Sequence, residues 1–141
     1  MTIALNGTTA KITGKGASVK SGVVTISAAG TYVVSGTMTA GQLVVDADGA
    51  DVVHLVLNGA SVTCPNSAPL YVKSAEKVVL TLNSGTKNVL TDGTAYTNVV
   101  DNEPNAALYC KDDLTINGSG SLTVNANYNN GISGNDDLKI L

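Results

Sequence analysis

One short pattern returns along the chain and limits what it can fold into. Leu55-Val56-Leu57-Asn58-Gly59 is followed by Leu80-Thr81-Leu82-Asn83-Ser84, then by Leu114-Thr115-Ile116-Asn117-Gly118, and finally by Leu138-Lys139-Ile140. The first residues of these segments are 25, 34 and 24 positions apart. A second series runs in phase with the first through Leu43-Val44, Leu70-Tyr71-Val72, Leu108-Tyr109-Cys110 and Ile132-Ser133, at spacings of 27, 38 and 24. Both series stretch over the same interval, so a single insertion near residues 94–105 accounts for both. Short apolar/polar alternations closed by Asn and Gly at such a period are the signature of stacked parallel strands. The expected fold is therefore all-β, a right-handed parallel β-helix (β-solenoid) with rungs of about 24–25 residues. Residues 1–27 fit the repeat poorly and read as an irregular first coil or cap, and residues 28–141 as the rungs of a single domain. Alternation within each strand sends one face inward, and the pattern predicts Leu55, Leu80, Leu114 and Leu138 as one interior ladder.

Composition agrees with a thin aliphatic interior. There is no Trp and no Phe, and the aromatic residues are 5 Tyr. Large rings normally fill the core of a sandwich this size, whereas stacked Val, Leu and Ile do not require them. The net charge is −3, and all 8 cationic residues are Lys. No basic face suited to nucleic acid emerges. No apolar run reaches the roughly 20 residues of a membrane helix, and the opening residues lack the basic and apolar regions of a leader peptide. Cys110 falls on an inward position beside Val72 and Cys64 at a strand end. Their different phases argue against a disulfide.

The residues with chemical potential are acidic and repeated. Lys111-Asp112-Asp113-Leu114 returns as Asn135-Asp136-Asp137-Leu138, 24 residues later. Stacked strands would bring these carboxylates to about 5 Å of one another, where like charges repel unless neutralised. Calcium suits that setting because it takes 6–8 oxygen ligands. The candidate metal ligands are thus Asp112, Asp113, Asp136 and Asp137, with Asp92 and Asp101 near the same edge. The plainer reading is that Asp is a good turn residue and solvated. Asp46, Asp48 and Asp51 form a second spaced acidic set without a complete calcium-loop pattern. Tyr71 and Tyr109 occupy equivalent outward positions, with Tyr96 in the insertion and Tyr128 before the last rung. Such rings can pack against sugar faces, or they can be an ordinary cross-strand pair.

Several separated motifs carry a resemblance: Gly30-Thr31-Tyr32-Val33-Val34-Ser35-Gly36, Gly41-Gln42-Leu43-Val44-Val45-Asp46, Val56-Leu57-Asn58-Gly59-Ala60-Ser61-Val62, Asn88-Val89-Leu90-Thr91-Asp92-Gly93 and the repeated Asp-Asp-Leu. Over about residues 22–141 the chain resembles the clostridial carbohydrate-binding β-helical proteins of cellulose- and pectin-degrading bacteria. The resemblance implies a secreted or cell-surface protein that binds calcium and plant-cell-wall polysaccharide, polygalacturonate or cellulose, with a fold related to some pectate lyases.

The expected function is non-catalytic carbohydrate binding. One alternative is a calcium-dependent polysaccharide lyase, which needs a base and a cation to stabilise an enolate. Lys111 is its best base, although its usual role would be to neutralise the neighbouring Asp pair. Another is a structural, self-assembling surface or fibre subunit. Leu138-Lys139-Ile140-Leu141 reads as an open rung, whose unpaired edge favours end-to-end association. His54 has no partner motif and receives no catalytic role.

Overall fold

The structure, a computed structural model, describes residues 2–20, 22–48, 50–65, 67–93, 106–127, 130–134 and 138–140. Among these, the regular elements are strands. In chain order they are β1 (Thr2–Gly7), β2 (Thr9–Thr13), β3 (Ala17–Lys20), β4 (Val23–Ile26), β5 (Gly30–Met38), β6 (Gln42–Asp46), β7 (Val52–Cys64), β8 (Leu70–Ser74), β9 (Lys77–Leu82), β10 (Lys87–Asp92), β11 (Ala106–Cys110), β12 (Asp113–Gly118), β13 (Ser121–Asn125), β14 (Asn130–Gly134) and β15 (Leu138–Ile140).

The strands form two mixed sheets. A nine-stranded sheet runs β15-β12-β9-β7-β5-β1-β2, with β10 joining β7 to β13, and a six-stranded sheet runs β14-β11-β8-β6-β4-β3. Most neighbours are parallel, but β1 pairs β2 and β3 pairs β4 antiparallel. This corrects the expected right-handed parallel β-helix: the sheets are mixed and neither closes on itself. The physical reason lies in the first 26 residues. Within them β1 and β4 pair parallel with β5 and β6, but short hairpins set β2 and β3 antiparallel to β1 and β4. Gly7, at φ 66, makes one of these reversals in a conformation that other residues rarely adopt. The insertion at 94–105 lies outside the described residues.

Alternation places the core as expected except at Leu138, expected inside but exposed. Ile3, Tyr32, Val34, Leu55, Leu57, Leu80 and Leu114 from the large sheet pack with Val24, Ile26, Leu43, Val45, Leu70, Val72 and Leu108 from the small one in a single buried cluster. The second sequence series pairs as read, Leu43 with Leu70, Leu70 with Leu108 and Leu108 with Ile132. The first does not. Leu80 pairs with Ile116 and Leu114 with Val78, so the ladder is Tyr32, Leu55, Leu80, Ile116 and Ile140. A slip of two residues keeps every side chain on its face, so inside/outside patterning cannot detect it.

The strand-ending Asn and Gly residues form the turns. Gly118 holds φ 100, and a side chain there would place its Cβ 2.2 Å from the Leu82 carbonyl oxygen. Asn88, fully buried, seals the neighbouring bend: its Oδ1 accepts from the N–H groups of Gly59 and Ala60, each at 2.9 Å, while its Nδ2 donates to the Ser121 carbonyl at 3.1 Å. Both cysteines are buried and unbridged, and Cys110 pairs in register with Val72.

Candidate functional site: a groove on the outer face of the six-stranded sheet

In β4, β6 and β8 the residues alternating with the core strip point away from it, and their registers bring them into rows. Val23 pairs with Gln42, and Thr25 with Val44, which pairs in turn with Tyr71. The Tyr71 row continues to Tyr109 and Ser133. Val23, Thr25, Gln42, Val44, Asp46, Ser67, Tyr71 and Lys73 line an open groove of about 290 Å³, at the small end of ligand sites.

The groove has three chemically distinct stretches. At one end Gln42 is fixed, its Nε2 donating to the Ala68 carbonyl at 2.8 Å and to Ser67 Oγ at 3.3 Å. The middle is an apolar floor of Val44 and Tyr71 beside the Thr25 hydroxyl. The far end carries Asp46 and Lys73, where the register shifts: Val45 pairs with Val72 but Asp46 with Ser74, so Lys73 and Ser74 together face one residue of β6. Such a bulge re-aims side chains at a strand end.

The tyrosine pair divides into two roles. The Tyr71 and Tyr109 rings meet edge to face, with centroids 5.7 Å apart and planes at 62°. Tyr109 is only 2% exposed and Tyr71 is half-buried at the groove wall. In this arrangement Tyr71 can offer ring surface to a ligand, and Tyr109, opposite it on the next strand, packs against its ring. Tyr96 and Tyr128 lie outside the described residues.

Asp46 lies in the groove, whereas Asp48, Asp51, Asp112 and Asp113 gather at a corner between the sheets. Asp112 and Asp113 lead from β11 into β12 beside the β8–β9 turn, and Asp112 Oδ2 accepts the N–H of Ala75 at 3.0 Å. One tier away, Asp48 Oδ1 accepts the N–H of Ala50 at 3.2 Å, and the Asp51 carbonyl accepts from the N–H of Glu76 at 2.8 Å. Burial pushes the hydroxyl pKa of nearby Tyr32 above its ordinary value, and the Asp51 charge adds to the rise. That hydroxyl donates to the Ala28 carbonyl at 2.7 Å. Asp92 is placed elsewhere: it is buried at the end of β10, its Oδ1 accepting the N–H of Asn127 and its carbonyl accepting from Asn127 Nδ2 at 2.9 Å. Asp101, Asp136 and Asp137 lie outside the described residues. Among the described residues no three His, Cys, Asp or Glu side chains converge as metal ligands. Lys111 is half-buried at the same corner, its backbone N–H donating to the Val72 carbonyl at 3.1 Å.

The outer face of the large sheet carries a polar line that the sequence reading passed over. His54 Nε2 lies 2.7 Å from Thr81 Oγ1, which donates to Asn117 Oδ1 at 2.6 Å. The line ties β7, β9 and β12 together. The groove itself was legible only in part. Val44, Tyr71 and Tyr109 each follow an inward leucine of the second series, so their shared outward row was readable. Ser67 and Lys73 entered through a loop and a bulge that no periodicity marks.

The family model for carbohydrate-binding domain-containing proteins matches residues 20–141. A carbohydrate-binding domain-containing protein of Acetivibrio thermocellus is 50% identical over 127 residues, which are 89% of this chain and 44% of that protein. A solved structure of a polysaccharide lyase-like protein from C. thermocellum, in a gadolinium derivative, matches with a TM-score of 0.94 and 45% identity, over 99% of this chain and 57% of that one. The chain thus spans about half the length of these relatives. It belongs to the family of carbohydrate-binding domain-containing proteins.

Proposed function

We propose that this chain is a non-catalytic carbohydrate-binding module that holds plant-cell-wall polysaccharide, polygalacturonate or cellulose, in the groove of the six-stranded sheet, outside or at the surface of the cell. The observation that carries the reading is the Tyr71 ring, packed edge to face with Tyr109 and forming with Val44 an apolar stretch of the groove that has polar groups at both ends. Sugar rings present apolar C–H faces and polar rims, and an aromatic wall flanked by hydrogen-bonding groups matches both. Retention on cellulose or polygalacturonate in affinity electrophoresis tests it. Retention lost in Tyr71→Ala supports the groove, and full retention in that variant removes it. Unsaturated product accumulating with polygalacturonate, and abolished by Lys111→Ala, would favour the lyase instead.

Calcium belongs to the proposal as a brace for the acidic corner. Asp112 keeps one carboxylate oxygen beyond its bond to Ala75, and Asp113 stands next in sequence. These donors alone fall short of the 6–8 oxygens calcium takes, so its fit rests on Asp136 and Asp137 joining them. Bound there, the ion would neutralise stacked carboxylates. Self-association through β15 is a subsidiary proposal, supported by the exposure of Leu138 and Ile140 at the edge of the large sheet. Sedimentation over a concentration series tests it.

A further inference from the structure

Asp46 and Lys73 stand at the bulged end of the groove, exposed, and among the described residues neither side chain has a hydrogen-bonding or ionic partner. Gln42, in the same groove, is by contrast engaged, with Ser67 and Ala68. A carboxylate and an ammonium at the mouth of one groove, opposite in charge and not paired with each other, form an acceptor and a donor set apart. Two neighbouring hydroxyls on a sugar ring complement that arrangement. One O–H donates to the Asp46 carboxylate, and the adjacent oxygen accepts from Lys73 Nζ.

We propose that Asp46 and Lys73 form a clamp for a vicinal diol, which makes the groove selective for neutral sugars with free adjacent hydroxyls. The inference rests on the groove being the carbohydrate site. Two charge-assisted hydrogen bonds are stronger than neutral ones. The same carboxylate repels the acid group of a uronate brought into that end of the groove. The bulge that places Lys73 and Ser74 opposite Asp46 is the backbone device behind the clamp. Tyr71, two residues before Lys73 on the same face of β8, supplies the stacking surface for the ring so held.

The test is calorimetric titration of the parent protein and three variants, Asp46→Asn, Lys73→Met and Tyr71→Ala, with cellohexaose and with a galacturonate hexamer. Asp46 and Lys73 lie on the surface, and thermal melting checks that both variants remain folded. The clamp predicts tighter binding of cellohexaose than of the uronate, a loss of about tenfold for cellohexaose in each clamp variant, and a smaller preference over the uronate in Asp46→Asn. Cellohexaose affinity within twofold of the parent in both clamp variants, with binding lost in Tyr71→Ala, overturns the clamp and leaves the groove standing. Weakening of the uronate alone in Lys73→Met also overturns it, because Lys73 would then be reading a carboxylate. Unchanged binding in Tyr71→Ala overturns the groove reading itself.

Discussion

The groove and the acidic corner lie at neighbouring parts of the six-stranded sheet and are built in opposite ways. In the groove, strand registers set the spacing of the side chains: Thr25, Val44 and Tyr71 form one row because three strands hold them there. At the corner the carboxylates serve the backbone of the turns. Asp112 satisfies Ala75 and Asp48 satisfies Ala50, bonds that belong to folding before they belong to any ligand. A cluster of charges at a turn is thus weaker evidence for recognition than a partly apolar row on a sheet. The structure separates side chains that have finished their hydrogen bonding from those, such as Asp46 and Lys73, that have not.

Variants that act on one region and spare the other break or sharpen this contrast. The largest effect belongs to Tyr109→Ala, which removes a buried ring and the brace of Tyr71. Urea unfolding should show a loss of about 3–5 kcal/mol, in line with other large-to-small core changes. Tyr71→Ala should separate stability from function: little change in the urea midpoint, but a drop in polysaccharide affinity of about 2 kcal/mol or more. Asp112→Ala should reverse that pattern, costing about 1–2 kcal/mol of stability by leaving the Ala75 N–H without its acceptor and sparing glycan affinity. If calcium braces the corner, added Ca²⁺ should raise the melting temperature of the parent through binding to the folded state. Asp112→Ala combined with Asp136→Ala should abolish most of that rise.

The smallest effect concerns pH. The Tyr32 hydroxyl has a raised pKa in the folded protein, by burial first and the Asp51 charge second. The folded state therefore keeps its proton at a pH where the unfolded chain has lost it. Its contribution is intact below about pH 10, the ordinary tyrosine value, and declines as the pH rises above it. Tyr32→Phe should be somewhat less stable at neutral pH, from the lost bond to Ala28, and should show a shallower alkaline decline in a pH series of thermal melts.

How much the sequence disclosed follows from what each pattern encodes. Period-two alternation marked the all-β character, the inward leucines and the outward position of Tyr71. It is blind to a two-residue slip, and so Leu114 was matched to Leu80 where Ile116 belongs. It was equally blind to the hairpins of β1–β2 and β3–β4, whose antiparallel pairing makes both sheets mixed. The burial of Tyr109 and the bulge at Lys73 depend on neighbours distant in sequence. Asp92 looked like its acidic relatives but is buried against Asn127, 35 residues away.

A nuclear magnetic resonance titration with cellohexaose would locate carbohydrate on the outer face of the six-stranded sheet residue by residue. Dose-dependent shifts are expected for the amides of Thr25, Val44, Tyr71 and Lys73, with little change at His54, Thr81 and Asn117 on the opposite outer face. Shifts confined to that opposite face or to the Asp112 corner would contradict it.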